Sequence, residues 1–334
     1  MDKIAKFWKA YSEDSVECLL CPHNCIIKKN QFGICRARKN IDNKLYALNY
    51  GKTTGIAIDP IEKKPLYHFY PFAKILSLGA NSCNFSCKFC QNYTSSQLKC
   101  PTEYISPEEL LSLCVKHNIA MVAFTYTEPF TWYEYIYDCA VLFKKNNIKV
   151  VLVTNGYINR EPLLELLPLI SAMNIDLKAF SEEFYQNLCG GRLQPVLETI
   201  KIAVNYIHLE ITTMIIETQN DDLGEMRELI SFVKSLNSKM PDEIDIPLHI
   251  SRYFPRYKLN LPATSEKKIF EFVKLAKQEL PFVYPGNVIA KDNLLMLNTY
   301  CPHCNSLLID RVNQVSFLKS NICPNCGQYI YGVF

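Results

Sequence analysis

Eleven of the fifteen cysteines in this chain fall into three tight groups, and thiols spaced in this way are metal ligands before they are core residues. The central group is Cys83, Cys87 and Cys90, within Ser82-Cys83-Asn84-Phe85-Ser86-Cys87-Lys88-Phe89-Cys90-Gln91-Asn92. Three thiolates in eight residues can wrap three irons of a cubane cluster, which leaves the fourth iron without a protein ligand. An open iron is reactive because a small molecule can chelate it. A structural zinc site takes four ligands, and no fourth Cys or His is adjacent. A zinc knuckle completed from a distant part of the chain is the plain structural alternative.

The other two groups have four thiols each. Cys301-Pro302-His303-Cys304 and Cys323-Pro324-Asn325-Cys326 are two knuckles separated by eighteen residues, a spacing that suits tetrahedral zinc in a ribbon. So short a piece gains little by burial, so metal binding is expected to supply its folding energy. Cys18, Cys21, Cys25 and Cys35 form the third set, with His23 able to replace one of them. Zinc is the expectation here too, because Pro22 and Gly33 supply tight turns and the set is far in sequence from the barrel strands. An auxiliary iron–sulfur cluster is the rival. Lys28, Lys29, Arg36 and Arg38 around it read as a solvated basic face rather than an RNA site. Cys100, Cys114, Cys139 and Cys189 are expected to be small buried hydrophobes. Cys189, in Leu-Cys-Gly-Gly, is the one of the four with a second possibility.

The elements that must position these groups follow from the hydrophobic pattern. Short apolar runs at Ile75–Leu78, Ala120–Phe124, Val150–Val153, Ser171–Ile175, Leu209–Ile216, Ile246–Ile250 and Pro281–Tyr284 alternate with longer amphipathic stretches. Helices are expected near Pro107–Lys116, Phe130–Lys145, Glu161–Leu167, Val196–Asn205, Asp222–Ser235 and Ser265–Gln278. Ser106-Pro107-Glu108-Glu109 offers an N-cap, a first-turn proline and two acids at the positive end of the helix dipole. This alternation predicts an α/β fold: a partial (β/α)6 TIM-like barrel over 75–299, a cysteine-rich module over 1–74 and a zinc ribbon over 300–334. The triad directly follows the first strand, at the carboxyl end where barrel enzymes carry their chemistry. The chain has 334 residues, 49% hydrophobic and 21% charged, with net charge +3, so composition argues for neither a nucleic-acid nor a membrane partner. No apolar run spans a bilayer, and Met1 to Trp8 lacks a signal-peptide core, so a reducing cytoplasmic setting is expected.

Cys-x3-Cys-x2-Cys with an aromatic, Phe89, before the last Cys resembles the signature of the radical S-adenosylmethionine (SAM) superfamily. By that resemblance, Thr125-Tyr126-Thr127-Glu128-Pro129 corresponds to a Gly-Gly-Glu segment, and Glu128 would meet the SAM ammonium. Thr154-Asn155-Gly156 is similar to the Thr-Asn-Gly of glycyl-radical activases, and Asp176-Leu177-Lys178 to their Asp-Leu-Lys. His249 matches a His near their SAM. Two positions depart: Val153 stands where the activases often have Asp, and the fifth strand carries Glu210, Thr212 and Thr213 rather than Arg. A monovalent-cation site and the usual hold on the SAM carboxylate are therefore not implied. Asp59-Pro60-Ile61-Glu62-Lys63-Lys64-Pro65-Leu66-Tyr67-His68-Phe69, Cys90-Gln91-Asn92, His249-Ile250-Ser251-Arg252-Tyr253 and Val283-Tyr284-Pro285-Gly286-Asn287 resemble hallmarks of the AmmeMemoRadiSam radical SAM family. Read by its residues alone, the stretch from Asp59 is either a solvated loop or a cover over the barrel mouth that contacts substrate.

The resemblance implies an oxidoreductase in which SAM chelates the open iron of a [4Fe–4S] cluster and reductive cleavage yields a 5′-deoxyadenosyl radical for hydrogen abstraction. The cofactor does this chemistry, so no side chain is expected as acid or base. A flavodoxin- or ferredoxin-type reductant and Memo-like and AMME-like proteins are the implied partners. Three uses remain open: activation of a glycyl-radical enzyme, modification of RNA or a metabolite, and a non-enzymatic metal-binding adaptor. The intact triad argues against the last.

Overall fold

A computed structural model describes residues 3–237, 244–289 and 295–334. One eight-stranded sheet dominates it: β1 (Gly55–Pro60), β2 (Lys74–Gly79), β3 (Met121–Phe124), β4 (Lys149–Thr154), β5 (Ala172–Asp176), β6 (His208–Ile215), β7 (Leu248–Arg252) and β8 (Val283–Gly286). The strands lie side by side in chain order. β2 to β8 run parallel, and β1 pairs antiparallel with β2. Helices α1 (Pro107–Lys116), α2 (Tyr133–Lys145), α3 (Arg160–Leu166), α4 (Leu193–Ala203), α5 (Leu223–Asn237) and α6 (Glu266–Ala276) provide the crossovers. The sheet thus holds six β/α units, as expected, with a seventh parallel strand and an antiparallel edge strand beyond them. Covering both faces of a parallel sheet explains why runs such as Val150–Leu152 are continuously apolar and buried. At α1 the Ser106 hydroxyl accepts from the Glu109 backbone (3.1 Å), and the Glu109 carboxylate accepts from the Ser106 backbone (2.7 Å). That reciprocal pair completes the helix start legible in the sequence.

The N-terminal module is built of short strands that the hydrophobic pattern did not mark: Trp8–Ser12, Ser15–Cys18 and Ile26–Lys28 form one antiparallel sheet, and Lys3–Ile4, Arg38–Ile41 and Lys44–Ala47 another. These strands have two to five residues, too few for a visible alternation. The expected boundary at 74 also does not coincide with the sheet, because β1 already belongs to it.

The segment after β1 fills the barrel rather than covering its mouth or lying in solvent. Alternate residues of each strand point inward. Ile61, Leu66 and Phe69 pack on the inward Ile75, Met121, Ala123 and Val151. Asn174 of β5 donates to the Pro65 carbonyl (2.8 Å). Glu210 of β6, fully buried, accepts from the backbone N–H of Tyr67 (2.9 Å) and His68 (2.7 Å) and pairs with His208 (3.0 Å) and His249 (2.6 Å). Burial alone would raise the Glu210 pKa, but the bonds from the two histidines hold it well below the usual carboxylate range. His68, also fully buried, is depressed to about 3 by burial and bonds the Tyr331 carbonyl (2.7 Å) and the Tyr284 hydroxyl (2.6 Å). The C-terminal ribbon closes this end: Arg311 donates to the Tyr67 carbonyl (2.6 Å), and Tyr284, Leu308 and Ile330 share one apolar cluster.

Glu210→Ala removes one carboxylate and leaves four buried donors unpaired, so it should cost roughly 3–5 kcal/mol of stability. Urea unfolding of the purified protein at pH 7 measures this. An unchanged midpoint would show that the plug does not depend on Glu210.

Candidate active site

The carboxyl ends of the strands surround a cavity of about 320 Å³. Cys83, Cys87, Phe89 and Cys90 line one side of it. Val153, Thr154 and Asn155 from the end of β4, Asp176 and Lys178 from the end of β5, Thr212 and Met214 of β6 and Ser251 of β7 line the other. The period of two along each strand sets this upper layer directly above the one containing Glu210 and His249.

The loop that carries the triad is braced from three directions. Asn84 donates from its side-chain nitrogen to the Tyr157 carbonyl (2.7 Å), and its side-chain oxygen accepts from Asn155 (2.8 Å). Asn155 is held in turn by Glu128, whose carboxylate accepts from the Asn155 backbone (2.8 Å), the Thr154 hydroxyl (2.7 Å) and the Phe130 backbone (3.0 Å). From below, Ser86 and Lys88 donate backbone N–H groups to the Cys189 and Leu188 carbonyls. Asn155 nitrogen lies 3.7 Å from the Cys83 sulfur and the Phe85 N–H 3.4 Å from it. Cys189, buried behind the loop, lowers the Cys87 thiol's pKa against the opposing effect of burial. Donors aimed at sulfur are among the groups that tune an iron–sulfur centre.

The expected site residues separate into two sets. Cys83, Cys87, Cys90, Phe89, Thr154, Asn155, Asp176 and Lys178 meet at the one cavity. Glu128 and His249 do not line it. Glu128 is buried, with its carboxylate spent on protein donors, and burial pushes its pKa up to about 7. It stands behind the wall rather than on it, where it caps the Pro129–Trp132 turn. His249 is turned toward Glu210 in the layer beneath, with its ring against Tyr67. Asp176 and Lys178 pair across 2.9 Å. Burial works against the Lys178 charge, yet Asp176 and the nearby thiols outweigh it and raise its pKa.

Three features have placements that the sequence did not fix. Lys63 and Lys64 reach the cavity wall from the barrel plug, and Lys64 pairs with the buried Asp59 (2.8 Å). Asn84 is a structural brace hidden between two cysteines. Cys189-Gly190-Gly191 underpins the triad loop: Gly190 has φ 74°, and a Cβ on Gly191 would stand 2.2 Å from the edge of the Phe85 ring. The adjacent glycines were the one available signal.

The three cysteine groups differ in spread. Among the described residues, only Cys301, Cys304, Cys323 and Cys326 bring three or more ligand atoms all within 4.8 Å of one another. Their sulfurs stand 3.6 Å (Cys301–Cys326) and 3.8 Å (Cys304–Cys323) apart, and a tetrahedron of Zn–S bonds near 2.3 Å has edges of about 3.8 Å. The triad is wider, as a cubane requires. Cys18, Cys21, Cys25 and Cys35 line a separate small cavity whose wall includes Asn84 and Thr131. The N-terminal group, far from the barrel in sequence, thus touches the triad loop.

A sequence profile of the Radical SAM superfamily matches residues 78–233. The uncharacterized protein MJ0808 of Methanocaldococcus jannaschii is 40% identical over 98% of this chain and 98% of its own length. The pyruvate formate-lyase 1-activating enzyme of Escherichia coli K12 is 26% identical over 50% of this chain and 71% of its own. The crystal structure of Streptococcus suis SuiB bound to S-adenosylmethionine superimposes with a TM-score of 0.51 at 12% identity, covering 70% of this chain and 57% of that one, a likeness of fold. The chain belongs to the radical SAM superfamily, is related to the activating enzymes, and is by that membership an enzyme whose family uses a [4Fe–4S] cluster and SAM. No helix among the described residues is long and apolar enough to cross a membrane.

Gly191→Ala should force Phe85 and the triad loop to shift, at a cost of about 1–3 kcal/mol. Anaerobic reconstitution should then load the triad with clearly less iron, while metal at the C-terminal ribbon stays constant. Full iron loading would show that the loop tolerates the displacement.

Proposed function

We propose that this enzyme cleaves SAM reductively on a [4Fe–4S] cluster held by Cys83, Cys87 and Cys90, so that a 5′-deoxyadenosyl radical takes a hydrogen atom from substrate. The observation that carries this reading is the meeting of three widely spread thiols with Asp176, Lys178, Thr154 and Asn155 around one cavity. The cluster would supply the electron and one open iron for SAM. The chain's own residues bind and orient. Asp176 and Lys178 offer an acid and a base side by side, complementary to the ammonium and carboxylate of an amino acid. Lys178 would thereby stand in for the Arg absent from β6, which carries Glu210, Thr212 and Thr213. Phe89, buried and packed on Phe184, is placed to shield the cofactor from water. Glu128 acts one step back, by positioning Thr154 and Asn155. His249 acts further back still, through Glu210.

Zinc is the proposed metal of the C-terminal ribbon, on the strength of its sulfur–sulfur edges. Its role would be to lock the lower end of the barrel. Activation of a glycyl-radical partner is a second reading of the substrate, favoured by the similarity to a pyruvate formate-lyase activating enzyme. Val153 on the cavity wall and the added cysteine modules favour a different substrate, with a flavodoxin- or ferredoxin-type reductant and Memo-like and AMME-like partners as the AmmeMemoRadiSam resemblance suggests.

Replacing Cys83, Cys87 and Cys90 together by Ala should abolish 5′-deoxyadenosine formation from SAM under dithionite, while the ribbon's zinc is retained. Deoxyadenosine production at the wild-type rate would overturn the assignment.

A further inference from the structure

The chain provides its own scale for reading the N-terminal cysteines. Four ribbon sulfurs lie within 4.8 Å of one another, as one small ion demands. No three of the ligand atoms of Cys18, Cys21, Cys25, Cys35 and His23 meet that limit, nor does the triad. A cubane interposes four irons and spreads four cysteine sulfurs to roughly 6 Å. By spread, the N-terminal group is like the triad and unlike the ribbon.

The donor set and its surroundings agree. His23 anchors its Nε2 on the Asn84 carbonyl (2.7 Å), and the four cysteines make a complete ligand set without it. They line one cavity together with Arg38. Arg38 is buried, pairs with the buried Glu134, and has its Nη1 3.6 Å from the Cys18 sulfur. Its Nε has no hydrogen-bond partner among the described residues. A buried, unpartnered N–H on a cavity wall needs an acceptor. Four thiolates on a zinc ion supply none beyond the thiolates themselves, whereas the inorganic sulfides of a cubane do.

We propose that Cys18, Cys21, Cys25 and Cys35 hold a second iron–sulfur cluster, of [4Fe–4S] size, in electron-transfer contact with the triad. This replaces the zinc expected from spacing alone. The wall between the two sites is one layer thick: Asn84 lines the N-terminal cavity and neighbours Cys83 in the chain, and Thr131, on the same wall, bonds Ser82 (2.7 Å). A one-electron donor of the flavodoxin or ferredoxin class is oxidised as the second cluster is reduced. That cluster returns to its oxidised state as the triad's cluster takes the same electron. No bond is made or broken and no proton moves. The electron-transfer part rests on the cluster assigned to the triad under Proposed function; the second site itself does not.

Iron and zinc counts on anaerobically reconstituted full-length protein test the site. Wild type should carry about eight irons and one zinc, and the variant with Cys83, Cys87 and Cys90 changed to Ala should keep about four irons. Cys18→Ala with Cys25→Ala should lose about four. Because the triad variant leaves the N-terminal module intact, a folding failure of the second variant does not blur the result. A triad variant with no iron and two zincs would overturn the proposal. Four irons in that variant, together with a wild type that does not cleave SAM, would uphold this site and sink the function proposed for the triad. Electron paramagnetic resonance tests the contact: the reduced wild type should show a spectrum broadened beyond the sum of the two variants' spectra. A simple sum would exclude adjacent reduced clusters.

Discussion

The site depends on one buried carboxylate. Glu128 accepts from Thr154, Asn155 and Phe130, and Asn155 passes the constraint to Asn84 and Cys83. These contacts tie the ends of β3 and β4 to the loop that carries the triad. A short loop with three cysteines has many conformations in which the sulfurs face apart, and ordering it costs about 1–2 kcal/mol per residue. Bonds to a buried carboxylate offset part of that cost before any cluster arrives. The Leu188–Gly191 turn supports the loop from the opposite side, and its glycines let the Phe85 ring and Ser86 approach.

A second buried carboxylate does the same at the other end of the barrel. Glu210 gathers the plug and two histidines, and Arg311 and Tyr331 bring in the ribbon. The barrel interior is therefore layered. The lower layer is a closed polar network with the plug's apolar side chains beside it. The upper layer is an open cavity with an acid–base pair. The motif from Asp59 to Phe69 joins them, since its tyrosine and histidine sit below while Lys63 and Lys64 reach the wall above.

The barrel strands and α1 were legible because burial on both faces and helix capping leave local marks in sequence. The triad was legible because metal ligands must keep their spacing. What was illegible depends on which way a side chain turns. Glu128 and His249 have the right types, yet three donors turn Glu128 inward four residues beyond β3, and His249 is only the second residue of β7, so it meets Glu210 in the layer below. The N-terminal strands were too short to show a period. At the N-terminal cysteines the two kinds of evidence point apart, because spacing along the chain sets how many thiols meet, whereas their spread in space sets what fits between them. Cys189, beside its two glycines, is fully buried, and its backbone carbonyl accepts from Ser86 beneath the triad loop.

The central claim is that three thiolates leave one iron of the triad's cluster open to SAM. Mössbauer spectroscopy of protein reconstituted with iron-57 addresses that iron directly. Adding SAM should change the parameters of one iron in the triad's cluster, toward values of higher coordination, and leave its three thiolate-bound irons as they were. A spectrum unaltered by saturating SAM would contradict the account.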